Sequence, residues 1–168
     1  MRLLILTLAI AASIFARAQK NFQPGYVILN DGTRADGFIN YKEWNHNPAE
    51  ITFASSLNTE EQKFTVHNIR YFEVTGKEAY ERFAARISMD SWAVMSMTLE
   101  RDTSYKEDVV FMRVITKGRH VNLFSYTDPV KTRFYIQPKN DSAIVELGYK
   151  KYVSQDAIVE EKTYQKVF

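Results

Sequence analysis

Residues Val109–Thr116 read VVFMRVIT, followed by Lys117-Gly118 and then by Arg119–Tyr126, RHVNLFSY. This stretch decides the fold. VVFMRVIT is the most apolar run beyond the chain's N-terminal segment and reads as a central strand. Phe111 and Val114 fall on opposite faces of that strand, so both faces are expected to be covered. Lys117-Gly118 turns the chain. In the return strand Val121, Leu123 and Ser125 alternate with Asn122, Phe124 and Tyr126. The expectation is a central antiparallel hairpin.

Working outward, the same period-2 pattern recurs. Gly25–Leu29 and Arg34–Tyr41 flank Asp31-Gly32, a strong hairpin signal. A two-residue turn would set Ile28 opposite Ala35 and Tyr26 opposite Gly37. A three-residue loop with a bulge at Gly32 shifts that register by one. Trp44–Pro48 (WNHNP) is a loop. Short strands are expected at Glu50–Ala54, Gln62–Val66 and Arg70–Thr75, with a polar loop at Ser55–Glu61 and a tight turn at His67–Ile69. Glu78–Met89 alternates: Ala79, Phe83, Ala85, Ile87 and Met89 share one face, broken only by Glu81, and Tyr80, Arg82, Ala84, Arg86 and Ser88 share the other, although residues 77–86 are also compatible with the start of a helix. Trp92–Leu99 is a further strand and Asp102–Asp108 a charged loop. Asp128-Pro129 is a turn, and Thr132–Gln137 and Ala143–Tyr149 flank another at Lys139-Asn140-Asp141. The result is a mainly β fold, an antiparallel meander of about nine or ten strands closed as a barrel or folded as a sandwich. Ser154 is placed to cap a C-terminal helix over Ser154–Phe168, with Ala157, Glu161, Tyr164 and Phe168 on one face. That segment reads either as a helix docked on the sheet or as the start of a linker to a longer protein.

The chain begins with the three parts of a secretory signal: Met1-Arg2, the apolar run Leu3–Phe15, and Ala16-Arg17-Ala18 before Gln19. The apolar run is too short for a spanning helix, which needs about 20 residues. The expected organisation is a signal peptide at 1–18, a β-rich domain at 19–153, and the terminal segment at 154–168. The chain has no cysteine, so no lipid can be attached after the signal, and packing rather than disulfides must hold the mature domain. Of 22 Lys and Arg residues, Arg2 and Arg17 leave with the signal, and the remaining 20 balance 20 acids. A neutral domain without basic runs lacks the field that nucleic acid or an anionic membrane surface requires.

Several segments in order carry a resemblance. They are Gly25-Tyr26-Val27, Asp31-Gly32-Thr33, Gly37-Phe38-Ile39, Asn47-Pro48-Ala49-Glu50-Ile51-Thr52-Phe53, Phe64-Thr65 and Ile69. Val121–Tyr126, Arg133-Phe134-Tyr135-Ile136 and Lys150-Lys151-Tyr152 complete them. In these the chain resembles uncharacterised exported β-rich proteins of Bacteroidota-type Gram-negative bacteria. The resemblance implies an N-terminal β module that, in longer members, precedes an outer-membrane β-barrel. It implies no activity and no site residues.

The chemistry-bearing residues are sparse. His46, His67 and His120 have no metal-ligand spacing, and no HExxH, GxSxG, GxGxxG or P-loop is present. The acid pairs Glu60-Glu61, Glu107-Asp108 and Glu160-Glu161 read as solvated charge. No catalytic, cofactor or metal residues are assigned, and no cofactor is expected. The candidate ligand platform is Tyr41, Trp44, His46 and Trp92, with Tyr71 and Tyr80 as further aromatics; dense aromatics more often form core and cross-strand pairs. The expectation is a non-catalytic binding or interaction module in the periplasm or at the outer membrane, not a lipoprotein, soluble when mature, meeting an envelope protein or glycan and no nucleic acid. The alternatives are a small outer-membrane β-barrel and an envelope-directed hydrolase.

Overall fold

The computed structural model describes residues 20–91, 101–154, 157–162 and 165. The expected signal peptide and the expected strand at Trp92–Leu99 lie outside these residues. Ten strands form one antiparallel sheet: β1 (Phe22–Leu29), β2 (Arg34–Asn40), β3 (Glu50–Ala54), β4 (Gln62–Thr65), β5 (Ile69–Val74), β6 (Glu78–Ser88), β7 (Tyr105–Lys117), β8 (Val121–Thr127), β9 (Thr132–Pro138) and β10 (Val145–Glu146). A second, two-stranded sheet pairs β11 (Tyr149–Ser154) with β12 (Ala157–Lys162).

The expected hairpin is central, with β7 between β6 and β8. Phe111 and Met112 are both buried, yet they belong to two different apolar clusters on opposite faces of the strand. The strand also starts earlier than expected. Tyr105–Asp108, read as loop because of its charge, pairs with Arg86, Ile87, Ser88 and Ala85 of β6. The β6 partner supplies the ladder that these solvent-facing residues do not demand by themselves.

The sheet order is β10-β9-β8-β7-β6-β5-β1-β2-β3-β4, so the meander is broken once: β5 pairs with β1 rather than with β4. The connection from β4 to β5 is a tight turn in which the Asn68 N–H donates to the Thr65 carbonyl at 3.0 Å. Such a turn spans less than about 7 Å. Four strand spacings in a flat sheet would span roughly 19 Å. The sheet therefore curls until its β4 edge approaches β5. Gly25 and Gly37 stand opposite each other on the concave side. A Cβ on Gly37 would sit 2.6 Å from the Phe53 ring and collide with the Ala54 carbonyl, so the tight curl needs glycine there. Neither a closed barrel nor a two-sheet sandwich results: β4 and β10 remain the two edges of one open sheet. The β1–β2 hairpin uses the three-residue alternative, with Gly32 at φ +96° and Val27 opposite Ala35.

The curl divides the molecule into two lobes that share β6 and β7. Val27, Ile39, Ile51, Phe53, Ile69, Phe72, Val74, Tyr80 and Phe111 fill the first. Phe83, Ala85, Ile87, Val110, Met112, Phe124, Tyr126 and Tyr135 fill the second, on the other face. β7 pairs with β8 only from Arg113 to Lys117, and beyond that the two strands fork. Asn47 fills the fork. Its Nδ2 donates to the carbonyls of Phe111 (2.8 Å) and Ser125 (3.1 Å), and its Oδ1 accepts from the Thr127 N–H at 2.9 Å. Backbone groups that lost their ladder are thereby satisfied.

The expected C-terminal helix is replaced by a hairpin. β12 lies antiparallel to β11, with Lys151 opposite Glu160 and Val153 opposite Ile158. Two physical terms favour the strand. Val153, Ile158 and Val159 are β-branched, and the opposite charges meet across the ladder, with Lys151 Nζ 2.8 Å from Glu160. The 3.6-residue spacing of Ala157 and Glu161 is outweighed by a partner strand only three residues upstream. Tyr164 and Phe168 lie outside the described residues.

Candidate functional site

Of the four expected platform residues, the structure brings two together. Tyr41 meets Trp44 edge to face at 5.3 Å, and Trp44 in turn meets Phe72 at 5.9 Å and Tyr80 at 5.7 Å. Phe72 stacks on Tyr80 at 4.8 Å. These rings use their faces and edges on one another, and they plug the first lobe. Burial pushes the Tyr80 phenol far above its ordinary value, and Glu78, which accepts its hydrogen bond at 2.9 Å, adds to the effect. His46 is exposed two residues beyond Trp44, and Trp92 lies outside the described residues.

The densest set of buried charges closes the second lobe. Asp90 is 3 % exposed, Lys131 8 % and Arg133 3 %. Lys131 Nζ lies 2.9 Å from Asp90 Oδ2, and Lys150 Nζ 3.1 Å from Asp90 Oδ1. Burial by itself would raise the Asp90 carboxyl, but the two ammonium groups outweigh it and hold the carboxyl below its ordinary value. Arg133 pairs with Asp128 at 3.0 Å and donates from Nε to the Ser88 carbonyl at 2.6 Å. Glu146 accepts from the Ser88 N–H and from the Tyr135 hydroxyl, each at 3.1 Å. β9 thus reaches back across three ladders, and β10 across four, to the end of β6. The sheet curls a second time, and an ionic clamp rather than an aromatic plug holds it. Two clefts of about 400 and 380 Å3 flank the clamp and share Glu146.

A third arrangement lies on the outer face of the first lobe. Tyr26 of β1 and Tyr71 of β5 stack at 5.6 Å, and both hydroxyls donate to Glu73 Oε2 at 2.8 Å. Arg34 covers the other side of the Tyr26 ring at 3.6 Å. Beside this stack runs a groove of about 510 Å3 lined by Tyr26, Ile28, Arg70, Tyr71, Glu81, Arg82 and Lys117. Lys117 is paired with Glu81. Ile28 lies opposite Tyr71 but Leu29 opposite Ile69, so Arg70 is the extra residue of a β-bulge. Bulges re-aim side chains, and this one delivers Arg70 to the groove wall.

Sequence reasoning placed Tyr71 among candidate aromatics but missed Tyr26, Arg70 and Arg82. The only signal available was the placement of Arg82 on the polar face of β6. The pairing of β1 with β5, which creates the groove, joins positions 40 to 49 residues apart and leaves no local trace. Among the described residues, no group of three or more His, Cys, Asp or Glu side chains is arranged to hold a metal ion. Comparison of the chain with protein-family models, with curated proteins and with solved structures finds no significant match.

Proposed function

We propose that the chain is an exported, non-catalytic module of the cell envelope that binds its partner without transforming it. The observation that carries this reading is how the ionisable groups of the clamp are used. Asp90, Asp128 and Glu146 are each closed by cations or donors of the same chain. A general base must offer a lone pair to substrate at a matched pKa. A carboxylate held ionised between two lysines is a poor base, and Asp90 serves instead to fasten β6 to β9 and β11. The export half of the reading rests on Met1–Ala18. An interaction role is also supported by the outer face of the first lobe, which carries Arg34 and Asp36 of β2, Glu73 of β5 and Glu81 of β6. Such a surface suits water and is costly against lipid.

The test is fractionation of expressing cells followed by mass analysis and assay of the purified chain. The mature protein is expected to begin at Gln19 in the periplasmic or outer-membrane fraction. It should turn over no glycan, ester or peptide. An intact Met1 in the cytoplasm overturns the export half. Hydrolysis that one polar substitution abolishes overturns the non-catalytic half.

A further inference from the structure

Arg70 and Arg82 form an arrangement that the sheet itself does not explain. The β5–β6 ladder ends where Tyr71 stands opposite Glu81, and Arg70 and Arg82 lie just beyond that end on the two neighbouring strands. Both line the same groove. Two like charges brought to one groove repel each other unless a counter-charge lies between them. Among the described residues, neither guanidinium has a carboxylate within ion-pair distance. Arg82 donates only to the Val66 carbonyl at 3.2 Å. Arg70 stands near Asp31, whose carboxyl is held down mainly by hydrogen bonds from Thr33, with Arg70 a minor contributor. By contrast the neighbouring cations are neutralised: Arg34 pairs with Asp36 at 2.6 Å, and Lys117 with Glu81.

The remaining walls define what would sit between these arginines. Tyr71 is fixed by its bond to Glu73 and is stacked on Tyr26, so it forms a rigid side wall. Glu81 and Lys117 present polar atoms suited to hydroxyls, and Ile28 supplies one apolar contact. A groove of about 510 Å3 with a mostly polar lining suits a hydroxylated ring of one or two sugar units rather than an apolar ligand. Paired guanidinium groups are the side chains best matched to an oxyanion, through parallel N–H donors.

We propose that this groove binds an acidic saccharide, whose anionic group is held between Arg70 and Arg82 while its ring lies against Tyr71. The inference rests on the binding-module reading and names the ligand class for it. Its test is a titration of the mature chain, Gln19–Phe168, with glucuronic acid, glucose and inorganic phosphate, followed by amide shifts in β5 and β6. Glucuronic acid is expected to saturate, and its affinity to fall as salt is raised. Arg70→Gln and Arg82→Gln should each weaken it by about tenfold or more, the value of one charge-assisted hydrogen bond. Lys151→Gln, on the separate β11–β12 sheet, should not. A role confined to the sheet makes the opposite demand: Arg82→Gln would then lower Tm, whereas a ligand-serving arginine leaves Tm level or raises it. Failure of glucuronic acid to saturate, or unchanged affinity in the double variant, overturns the proposal. Equal affinity for glucose overturns the anionic part, and equal affinity for phosphate the saccharide part. Turnover of a bound sugar would overturn the non-catalytic reading and leave the site standing, so the two failures are distinguishable.

Discussion

The two lobes solve one mechanical problem in different ways. Each is a stretch of antiparallel sheet that curls and must be held curled. The first is held by an apolar interior in which Trp44, Phe72, Tyr80 and Phe111 interlock. The second has a smaller core, and its far strands are fastened to β6 by Asp90, Lys131, Lys150 and Arg133. Apolar packing tolerates changes of pH and salt. An ionic clamp is directional and fixes the register of the strands it joins, but it fails when one member is removed, because the others are left buried and uncompensated. The shared ribbon of β6 and β7 ties the two solutions together, since its two faces serve one lobe each.

That contrast can be broken most severely at the shared ribbon. Phe111→Ala is expected to destabilise the chain by about 3 to 5 kcal/mol, read as a lower urea midpoint. Unfolding should remain a single transition. Two separate transitions would show that the lobes are independent. Next in size, Asp90→Asn should cost about 3 kcal/mol, because Lys131 keeps its charge without a counter-ion. Adding Lys131→Met should recover part of that loss, a coupling that a double-mutant cycle measures.

The clamp also predicts that the second lobe responds to acid before the first. The Asp90 and Asp128 carboxyls lie below their ordinary values when folded. For both, burial pulls the other way; lysine ammonium groups hold Asp90 down, and the Lys131 backbone N–H and Arg133 hold Asp128 down. Groups of this sign contribute fully above the unfolded value of about 4 and lose the contribution as pH falls through the folded value. Amide exchange in β8 and β9 should therefore accelerate below about pH 4 before exchange in β1 and β2 does. Simultaneous loss would remove the distinction between the lobes.

Two smaller changes sharpen the comparison. Gly37→Ala should cost about 2 kcal/mol through overpacking against Phe53, with exchange rising in the first lobe only. Lys151→Ala removes a surface pair of the β11–β12 hairpin and should cost no more than about 0.5 kcal/mol. A larger loss would mean that the small sheet braces Lys150 in the clamp.

Much of this architecture was legible residue by residue. The central hairpin with both faces covered, the alternation of Phe83, Ala85 and Ile87 against Arg82, Ala84 and Arg86, the strand Glu50–Ala54 and the Asp31-Gly32 turn all follow from period-2 burial and turn chemistry. These are local properties, written within a few residues. The candidate groove was barely legible, because Tyr26, Arg70 and Arg82 become neighbours only through a β1–β5 ladder and a bulge.

By itself the sequence determined that the chain is β-rich, where most turns fall, and that no disulfide can brace it. The tertiary structure alone decided that β5 leaves β4 to join β1, that the sheet curls twice without closing, and that Ala157–Lys162 pairs as a strand with Tyr149–Ser154. The physical reason is the same in each case. An alternating pattern states which face of a strand is buried but not which strand lies beside it. Partner choice, curvature and the pairing of Asp90 with lysines 41 and 60 residues away depend on the summed packing of the whole chain.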